Sequence, residues 1–182
     1  MHQDLQSVLF TEAEILAGID RLAVEITDHY RDRELTVVSI LKGSCIFVAD
    51  LVRRLPIPLE LAFVSASSYR SGTKAGRLEL NFFPTEGEIK GKNLLLVDDI
   101  LDTGKTMAAL RTELLMRGAA EVRSCTFLDK PSRRETDVAP DFRVFEVEDL
   151  FVVGYGLDYA GHYRNLPVVG HLKEEVYAQE SS

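Results

Sequence analysis

The sequence predicts an α/β fold in which helices flank a central, mostly parallel sheet. Strand-like and helix-like segments alternate along the chain, as they do where right-handed crossovers join parallel strands. The run Leu94–Val97 is apolar without the alternation of a half-exposed strand, which predicts a strand buried on both faces. With 182 residues, 46% of them hydrophobic, the chain is long enough for one such core, and we expect residues 1–182 to form a single domain.

The first half of the chain supplies two helices and two strands of this pattern. Thr11-Glu12-Ala13-Glu14 has the residues of a capping box and opens a helix whose apolar face consists of Ile15, Leu16, Ile19, Leu22 and Ile26. The β-branched run Leu35–Leu41 predicts a strand, and Ser44–Leu55 predicts a helix that two following prolines stop. A second strand is predicted over Leu59–Ser68. The polar, glycine-containing residues 69–79 then predict a loop.

The second half repeats the alternation. After the buried strand Leu94–Val97, apolar residues recur at helical spacing from Met107 to Leu115, and Gly118 predicts the end of that helix. Further strands are predicted over Val122–Leu128 and Phe151–Tyr155.

Composition excludes several classes of function. The net charge of -8 argues against nucleic-acid binding, which requires a basic face. Apolar runs are far shorter than a membrane span and no signal peptide is evident, so we expect no membrane partner and a cytoplasmic location. Cys45 and Cys125 lie among apolar residues, which predicts two buried thiols rather than a disulfide or a metal site.

The main chemical motif follows the buried central strand. Asp98 and Asp99 end the apolar run, and Asp102 precedes a small turn that opens the next helix. Backbone N–H groups at a helix N-terminus suit a phosphate, and here they belong to Thr103, Gly104, Lys105 and Thr106. The carboxylates could accept hydrogen bonds from vicinal sugar hydroxyls or bind a metal ion. The motif therefore predicts a ligand that carries both sugar hydroxyls and phosphate.

Gly104-Lys105-Thr106 by itself suggests a nucleoside-triphosphate P-loop. That motif requires a glycine five positions before Gly104, where this chain has Asp99, so the P-loop interpretation is poor.

Other candidate binding residues follow predicted strands. Lys42 and Gly43 come after the first strand, Lys130 comes after the strand Val122–Leu128, and Asp158 comes after the last strand. Ligands of open parallel sheets bind beyond the carboxyl ends of the strands, so we expect these residues to meet there.

The acidic motif resembles the phosphoribosyl-pyrophosphate (PRPP) signature of type I phosphoribosyltransferases. Four more segments are similar to the hypoxanthine–guanine phosphoribosyltransferases, and the resemblance runs from about residue 10 to about residue 172: Leu41–Gly43, Ser68–Tyr69, Phe127–Pro131, and Phe151–Tyr159 with Arg164–Pro167. The resemblance implies the type I fold, with a small hood of N- and C-terminal segments over the strand ends. It also implies a cis peptide between Leu41 and Lys42.

The resemblance further implies purine salvage: transfer of a phosphoribosyl group from PRPP to hypoxanthine or guanine, with Mg²⁺ as cofactor. Asp102 would be the catalytic base. PRPP and its phosphates would be bound by Lys42, Gly43, Asp98, Asp99, Asp102, Thr103, Gly104, Lys105, Thr106 and Arg164. The purine would be bound by Lys130, Phe151, Val152 and Asp158, and the metal by Asp98, Asp99 and Asp158. Ser68 and Tyr69 would begin a lid over the reacting centre.

Alternatives stay open at this stage. A PRPP-binding regulator would need a basic surface or an added DNA-binding domain, and an adenine or pyrimidine enzyme would lack the Lys130 segment and the hood together. Acceptance of xanthine is compatible with the same residues. We expect small-molecule substrates. We also expect a homo-oligomer, either a homodimer or a homotetramer, and the sequence does not distinguish between the two.

Overall fold

The computed structural model describes residues 2–68 and 78–178, with only the backbone described for 66–68 and 78–81. Its strands, in chain order, are β1 (Leu5–Phe10), β2 (Leu35–Leu41), β3 (Leu59–Ser68), β4 (Leu78–Phe82), β5 (Asn93–Leu101), β6 (Glu121–Asp129), β7 (Phe142–Glu146), β8 (Val152–Val153) and β9 (Val169–Leu172). Its α-helices are α1 (Glu12–His29), α2 (Cys45–Val52), α3 (Glu86–Ile89), α4 (Lys105–Met116) and α5 (Glu174–Tyr177). Short 3₁₀ turns cover His2–Asp4 and Pro131–Arg133.

The main sheet confirms the predicted α/β class. Its strand order is β4-β3-β2-β5-β6-β7. The strands β3, β2, β5, β6 and β7 are parallel, and β4 pairs antiparallel with β3 at one edge. Because β2, β5 and β6 run in one direction, the residues that follow Leu41, Leu101 and Asp129 meet at the same edge of the sheet. This edge carries the site.

The core lies on both faces of this sheet, as the apolar run of β5 predicts. Leu95 and Val97 pack with α1 and α2 on one face, and Leu94 and Leu96 pack with α4 on the other. All four side chains are fully buried. The helices therefore cover the sheet on both sides and leave its strand ends free for ligands.

Two predicted segments are wrong in extent. Phe151–Tyr155 is not a strand of the main sheet: only Val152–Val153 is extended, because Gly154 and Gly156 have φ of 99° and turn the chain. The predicted loop 69–79 is too long, since Leu78 and Glu79 belong to β4 and pair with Ser68 and Ser67.

The short strand β8 belongs instead to a three-stranded antiparallel sheet with the order β1-β9-β8. Its N-terminal strand pairs with its C-terminal strand, with Leu5 opposite Leu172, and Val152 pairs with His171. This small sheet is the hood.

The two cysteines differ. Cys125 is fully buried in β6, as predicted. The prediction for Cys45 is wrong: it begins α2 on the outer side of that helix and is exposed. Among the described residues, no helix is long and apolar enough to cross a membrane.

Helix α1 begins at its predicted capping box and packs closely on β7. The Thr11 N–H donates to the Glu14 carboxylate at 2.9 Å, and the Glu14 N–H donates to the Thr11 hydroxyl at 3.4 Å.

Farther along the helix, a Cβ on Gly18 would lie 2.6 Å from Val144 Cγ1 and 3.0 Å from Phe145 Cζ. The absence of a side chain at Gly18 therefore allows α1 to approach the sheet.

We expect Gly18→Val to lower the free energy of unfolding by about 1–3 kcal/mol, because the added side chain overpacks this contact. Urea unfolding provides the measurement. The control is Gly87→Ala in α3, where an added Cβ meets nothing within 4 Å and unfolding should shift little. Equal midpoints for Gly18→Val and the parent chain would contradict this account of the helix–sheet contact.

Candidate active site

Two half-buried carboxylates lie at the end of β5. The Asp99 N–H donates to Asp98 Oδ1 at 3.0 Å, and the Ile100 N–H donates to Asp99 Oδ1 at 2.9 Å. Burial, and then the neighbouring Asp99, raise the pKa of Asp98 well above its usual range. Burial also raises the pKa of Asp99, although the positive charge of Arg164 opposes this shift. A cation or hydroxyl donors would favour the charged forms of both groups.

Gly43 makes room for Asp99. A Cβ at Gly43 would lie 1.6 Å from Asp99 Oδ2, so no other residue fits there without moving the carboxylate. The peptide between Leu41 and Lys42 is cis, as the resemblance implied, and Lys42 is exposed beside it. Gly43 does not have a positive φ, so an ordinary left-handed turn does not explain it.

The turn before α4 has the geometry of an anion cradle. Gly104, with φ of 82°, is the N-cap of α4, and the Lys105 N–H lies 3.5 Å from the Thr103 hydroxyl. The Thr103 carbonyl accepts hydrogen bonds from the Glu135 N–H at 3.0 Å and from the Thr136 hydroxyl at 3.4 Å. The Thr103 carbonyl is thus used by the protein, and the N–H groups at the start of α4 carry the positive end of the helix dipole. Lys105 forms an ion pair with Glu135, and Thr106 is half-buried.

Asp102 lies in a network of charges that the sequence analysis missed. Arg133 Nε is 3.0 Å from Asp102 Oδ1, and Arg133 Nη1 is 3.5 Å from Asp149 Oδ2. The Arg134 guanidinium donates to the Asp102 backbone carbonyl at 2.5 Å and pairs with buried Asp129. These arginines follow Pro131 and Ser132, but their position in the sequence alone does not reveal which carboxylates they contact.

Lys130 is buried where β6 ends. Its ammonium group donates to the Leu150 carbonyl at 2.5 Å and lies 3.7 Å from Asp149 Oδ1. Burial lowers its pKa, and the nearby Asp102 and Asp149 oppose that shift. A single buried cation is therefore held at a defined position beneath the hood.

The hood and the main sheet enclose a cavity of about 220 Å³. Five of its wall residues are predicted to bind ligand: Asp99, Lys130, Phe151, Val152 and Asp158. The other two, Ile100 and Leu157, were not selected by the sequence analysis. Its lining does not include Asp98, Asp102 or the turn 103–106, which lie along the same strand end and the loop after it. The fold thus joins an apolar slot to the acidic motif.

Asp158 and Arg164 lie at the inner edge of the hood. Arg164 Nη2 is 2.6 Å from Asp158 Oδ1, and the Gly161 N–H donates to Asp158 Oδ2 at 2.9 Å. Arg164 Nη1 also donates to the Gly156 carbonyl at 2.6 Å. A Cβ at Gly156 would lie 2.1 Å from the Gly43 carbonyl, so the hood rests directly on the loop after β2.

The predicted metal ligands Asp98, Asp99 and Asp158 do not form a preformed coordination site. Within residues 2–68 and 78–178, no group of three or more His, Cys, Asp or Glu side chains is arranged to hold a metal ion. Asp98 and Asp99 alone fit Mg²⁺, which is usually held by one or two carboxylates together with substrate oxygens and water. Asp158 would have to share its oxygens with Arg164 and Gly161.

The predicted lid begins where the described residues end. Ser68 ends β3, and Tyr69, the second residue of the predicted lid, lies outside the described residues.

Comparison with known proteins identifies the family of this chain. Residues 6–160 match the model of the phosphoribosyl transferase domain. The hypoxanthine phosphoribosyltransferase of Salmonella typhimurium is 46% identical over 91% of this chain and 94% of its own length. The hypoxanthine-guanine phosphoribosyltransferase of Staphylococcus epidermidis is 41% identical over 98% of this chain and all of its own length.

Solved structures show the same relationship. The crystal structure of a hypoxanthine phosphoribosyltransferase from Staphylococcus aureus superposes with a TM-score of 0.88 at 39% identity, covering 97% of this chain and 96% of that one. The chain therefore belongs to the phosphoribosyltransferase family.

Proposed function

We propose that this protein transfers the 5-phosphoribosyl group of PRPP to hypoxanthine or guanine, forming IMP or GMP and pyrophosphate. The observation that carries the proposal is the cavity, in which Asp99 of the acidic motif faces Lys130 and the aromatic ring of Phe151. The names of its relatives support the same reaction, which is a step of purine salvage.

The purine occupies the cavity. Lys130 donates to the exocyclic oxygen at C6 and disfavours adenine, whose 6-amino group is itself a donor. Phe151 stacks on the ring, and the backbone of Val152 binds its edge. Asp158 lies near the 2-position. The position of Lys130 supports this role, because its buried ammonium is held in place by the Leu150 carbonyl and Lys130 forms part of the cavity wall.

PRPP lies along the strand ends. Asp98 and Asp99 hold the ribose 2′- and 3′-hydroxyls, and the turn formed by Asp102, Thr103, Gly104, Lys105 and Thr106 cradles the 5′-phosphate. Lys42, Gly43 and Arg164 bind pyrophosphate. The contact of Gly156 with the Gly43 carbonyl supports a common site for the last three residues, since Arg164 donates to Gly156.

Mg²⁺ would be held by Asp98 and Asp99, with Asp158 near it, and would supply positive charge that neutralises the departing pyrophosphate. In the reaction, the bond from C1′ to the pyrophosphate oxygen breaks and a bond from purine N9 to C1′ forms. The purine then loses one proton, which Asp102 accepts at N7. Asp102 must exchange part of its contact with Arg133 to do so.

The decisive assay offers the purified protein PRPP and Mg²⁺ with hypoxanthine, guanine, xanthine, adenine or uracil separately, and measures pyrophosphate and nucleotide. Hypoxanthine or guanine should react fastest. Turnover confined to adenine or uracil would contradict the proposal, and a faster reaction with xanthine would reassign the substrate.

Lys130→Met should weaken GMP binding by about 1–3 kcal/mol and leave PRPP binding nearly unchanged, because only the purine loses a donor. Isothermal titration of both ligands measures the two effects. Lys90→Met, at an exposed lysine after α3, is the matched control. If GMP and PRPP lose affinity equally, Lys130 is structural or binds phosphate.

Asp102→Asn should lower kcat by roughly 10²- to 10⁴-fold, the usual scale of general acid–base catalysis, while PRPP binding persists. Single-turnover measurements with guanine isolate the chemical step. Asp137→Asn, at an exposed site, should be neutral. A loss below tenfold in Asp102→Asn would make this carboxylate a hydrogen-bond acceptor rather than the base.

Asp98→Asn should stabilise the fold at neutral pH while weakening PRPP binding. The pKa of Asp98 is raised above its ordinary value of 3.8. At a pH between 3.8 and the raised pKa, the native chain therefore holds a proton that the unfolded chain has released. Native stability therefore falls as pH rises from about 3.8 through the raised pKa, and the loss is complete above it. The amide carries no charge and avoids that loss.

Urea unfolding at pH 3 and pH 7 measures this effect. Asp98→Asn should match the parent chain at pH 3 and exceed it at pH 7. Asp32→Asn is the control, because Asp32 is exposed at φ of 60°, a conformation that asparagine also adopts readily. An Asp98→Asn variant that is less stable than the parent at pH 7 would show that this charge is well accommodated.

A further inference from the structure

Phe151, the aromatic wall of the cavity, is held by two tyrosines. The Tyr177 ring is stacked on it, with centroids 4.7 Å apart and planes inclined by 15°. The Tyr159 ring meets it edge-on, at 5.5 Å and 86°. Phe151 is still 38% exposed, so these contacts leave part of its ring uncovered.

Tyr177 stands behind Phe151 with respect to the cavity. Phe151 lines the cavity together with Ile100 and Lys130, and Tyr177 is absent from its walls. Since one face of Phe151 is covered by Tyr177, the cavity meets the remainder of the ring. A purine stacked on Phe151 would therefore complete a layer of purine, Phe151 and Tyr177.

Backbone hydrogen bonds fix the segments that carry these two rings. The Leu172 N–H donates to the Phe151 carbonyl at 2.8 Å, at the end of β9, and α5 begins two residues later. The Lys173 N–H donates to the Asp4 carbonyl at 3.0 Å, which ties the start of α5 to the N-terminal segment. Tyr177 itself packs against the small apolar cluster of the hood. Its ring is thus carried by a short helix that is fixed at its first turn.

We propose that Tyr177 is a positioning residue for purine recognition: it fixes the Phe151 ring in the orientation that stacks on the base. This inference rests on the proposed function and deepens it. A free phenylalanine side chain loses rotamer freedom when a ligand binds, and a ring already held in place avoids much of that loss. Tyr177 is not among the residues proposed to bind PRPP, so we expect its effect to be confined to the base.

The test compares Tyr177→Leu, which keeps an apolar side chain without a ring, with Tyr177→Phe, which keeps the ring without the hydroxyl. Glu175→Ala, an exposed position in the same helix, is the control. The measurements are the KM for hypoxanthine at saturating PRPP, the KM for PRPP at saturating hypoxanthine, and the Kd of GMP by isothermal titration. Urea unfolding of each variant checks the fold.

In Tyr177→Leu we expect the KM for hypoxanthine and the Kd of GMP to rise roughly 2- to 12-fold, the factor that corresponds to one aromatic pair, with an unchanged KM for PRPP. Tyr177→Phe and Glu175→Ala should behave like the parent. Parent-like hypoxanthine and GMP values in Tyr177→Leu, an equal rise in both KM values, or a Tyr177→Phe variant as impaired as Tyr177→Leu would each overturn the inference.

The parent chain separates this inference from the proposed function. If the parent does not use hypoxanthine or guanine, the proposed function fails and the inference fails with it. If the parent is active and the variants equal it, only the positioning role of Tyr177 fails.

Discussion

Two adjacent carboxylates share a half-buried space where β5 ends, and the rest of the site depends on this constraint. Burial raises the pKa of both Asp98 and Asp99, because the negative charge of these carboxylates is poorly solvated there. Asp99 fits there because Gly43 has no side chain, and the hood approaches the Gly43 carbonyl because Gly156 has none either. The close backbone contacts thus hold the two carboxylates in a place where their charge is unfavourable. A polyhydroxylated ligand with a cation would stabilise that charge.

The other polar groups of the site already have partners within the protein. Asp102 pairs with Arg133, Lys130 donates to the Leu150 carbonyl, and Asp158 pairs with Arg164. Binding of the proposed substrates is thus an exchange of partners rather than the first desolvation of free charges. Such an exchange has a small net free energy for each hydrogen bond, whereas a ligand that lacks a needed group leaves a buried donor unsatisfied. The arrangement favours selectivity over raw affinity.

The main sheet and its buried central strand could be predicted because apolar periodicity reports which faces are covered, and Leu94–Val97 is covered on both. The acidic motif could be predicted because its residues are adjacent in sequence. By contrast, Phe151–Tyr155 is as apolar as a core strand, but Val152–Val153 pairs with β9 of the hood and the chain turns at Gly154 and Gly156, which have positive φ. Cys45 was misjudged because hydrophobic neighbours do not reveal which side of a helix faces outward. The contacts of Arg133 with Asp102 and of Tyr177 with Phe151 join residues 31 and 26 positions apart, respectively, and tertiary packing alone decides them.

A chain with a net charge of -8 must still attract a phosphate-rich substrate, and local fields explain how it can. Exposed charges more than about 8 Å apart are largely screened at physiological ionic strength, so acidic residues elsewhere matter little to a ligand in the site. The cations proposed to bind the phosphates are Lys42 after β2, Lys105 at the positive end of α4, and Arg164 on the hood. Asp98 and Asp99 oppose these charges at the same short range, where screening is weak. In the proposed complex, cationic side chains would hold the phosphates at the periphery. The centre of the site would then lie between two carboxylates and a pyrophosphate, a concentration of negative charge that favours a divalent cation.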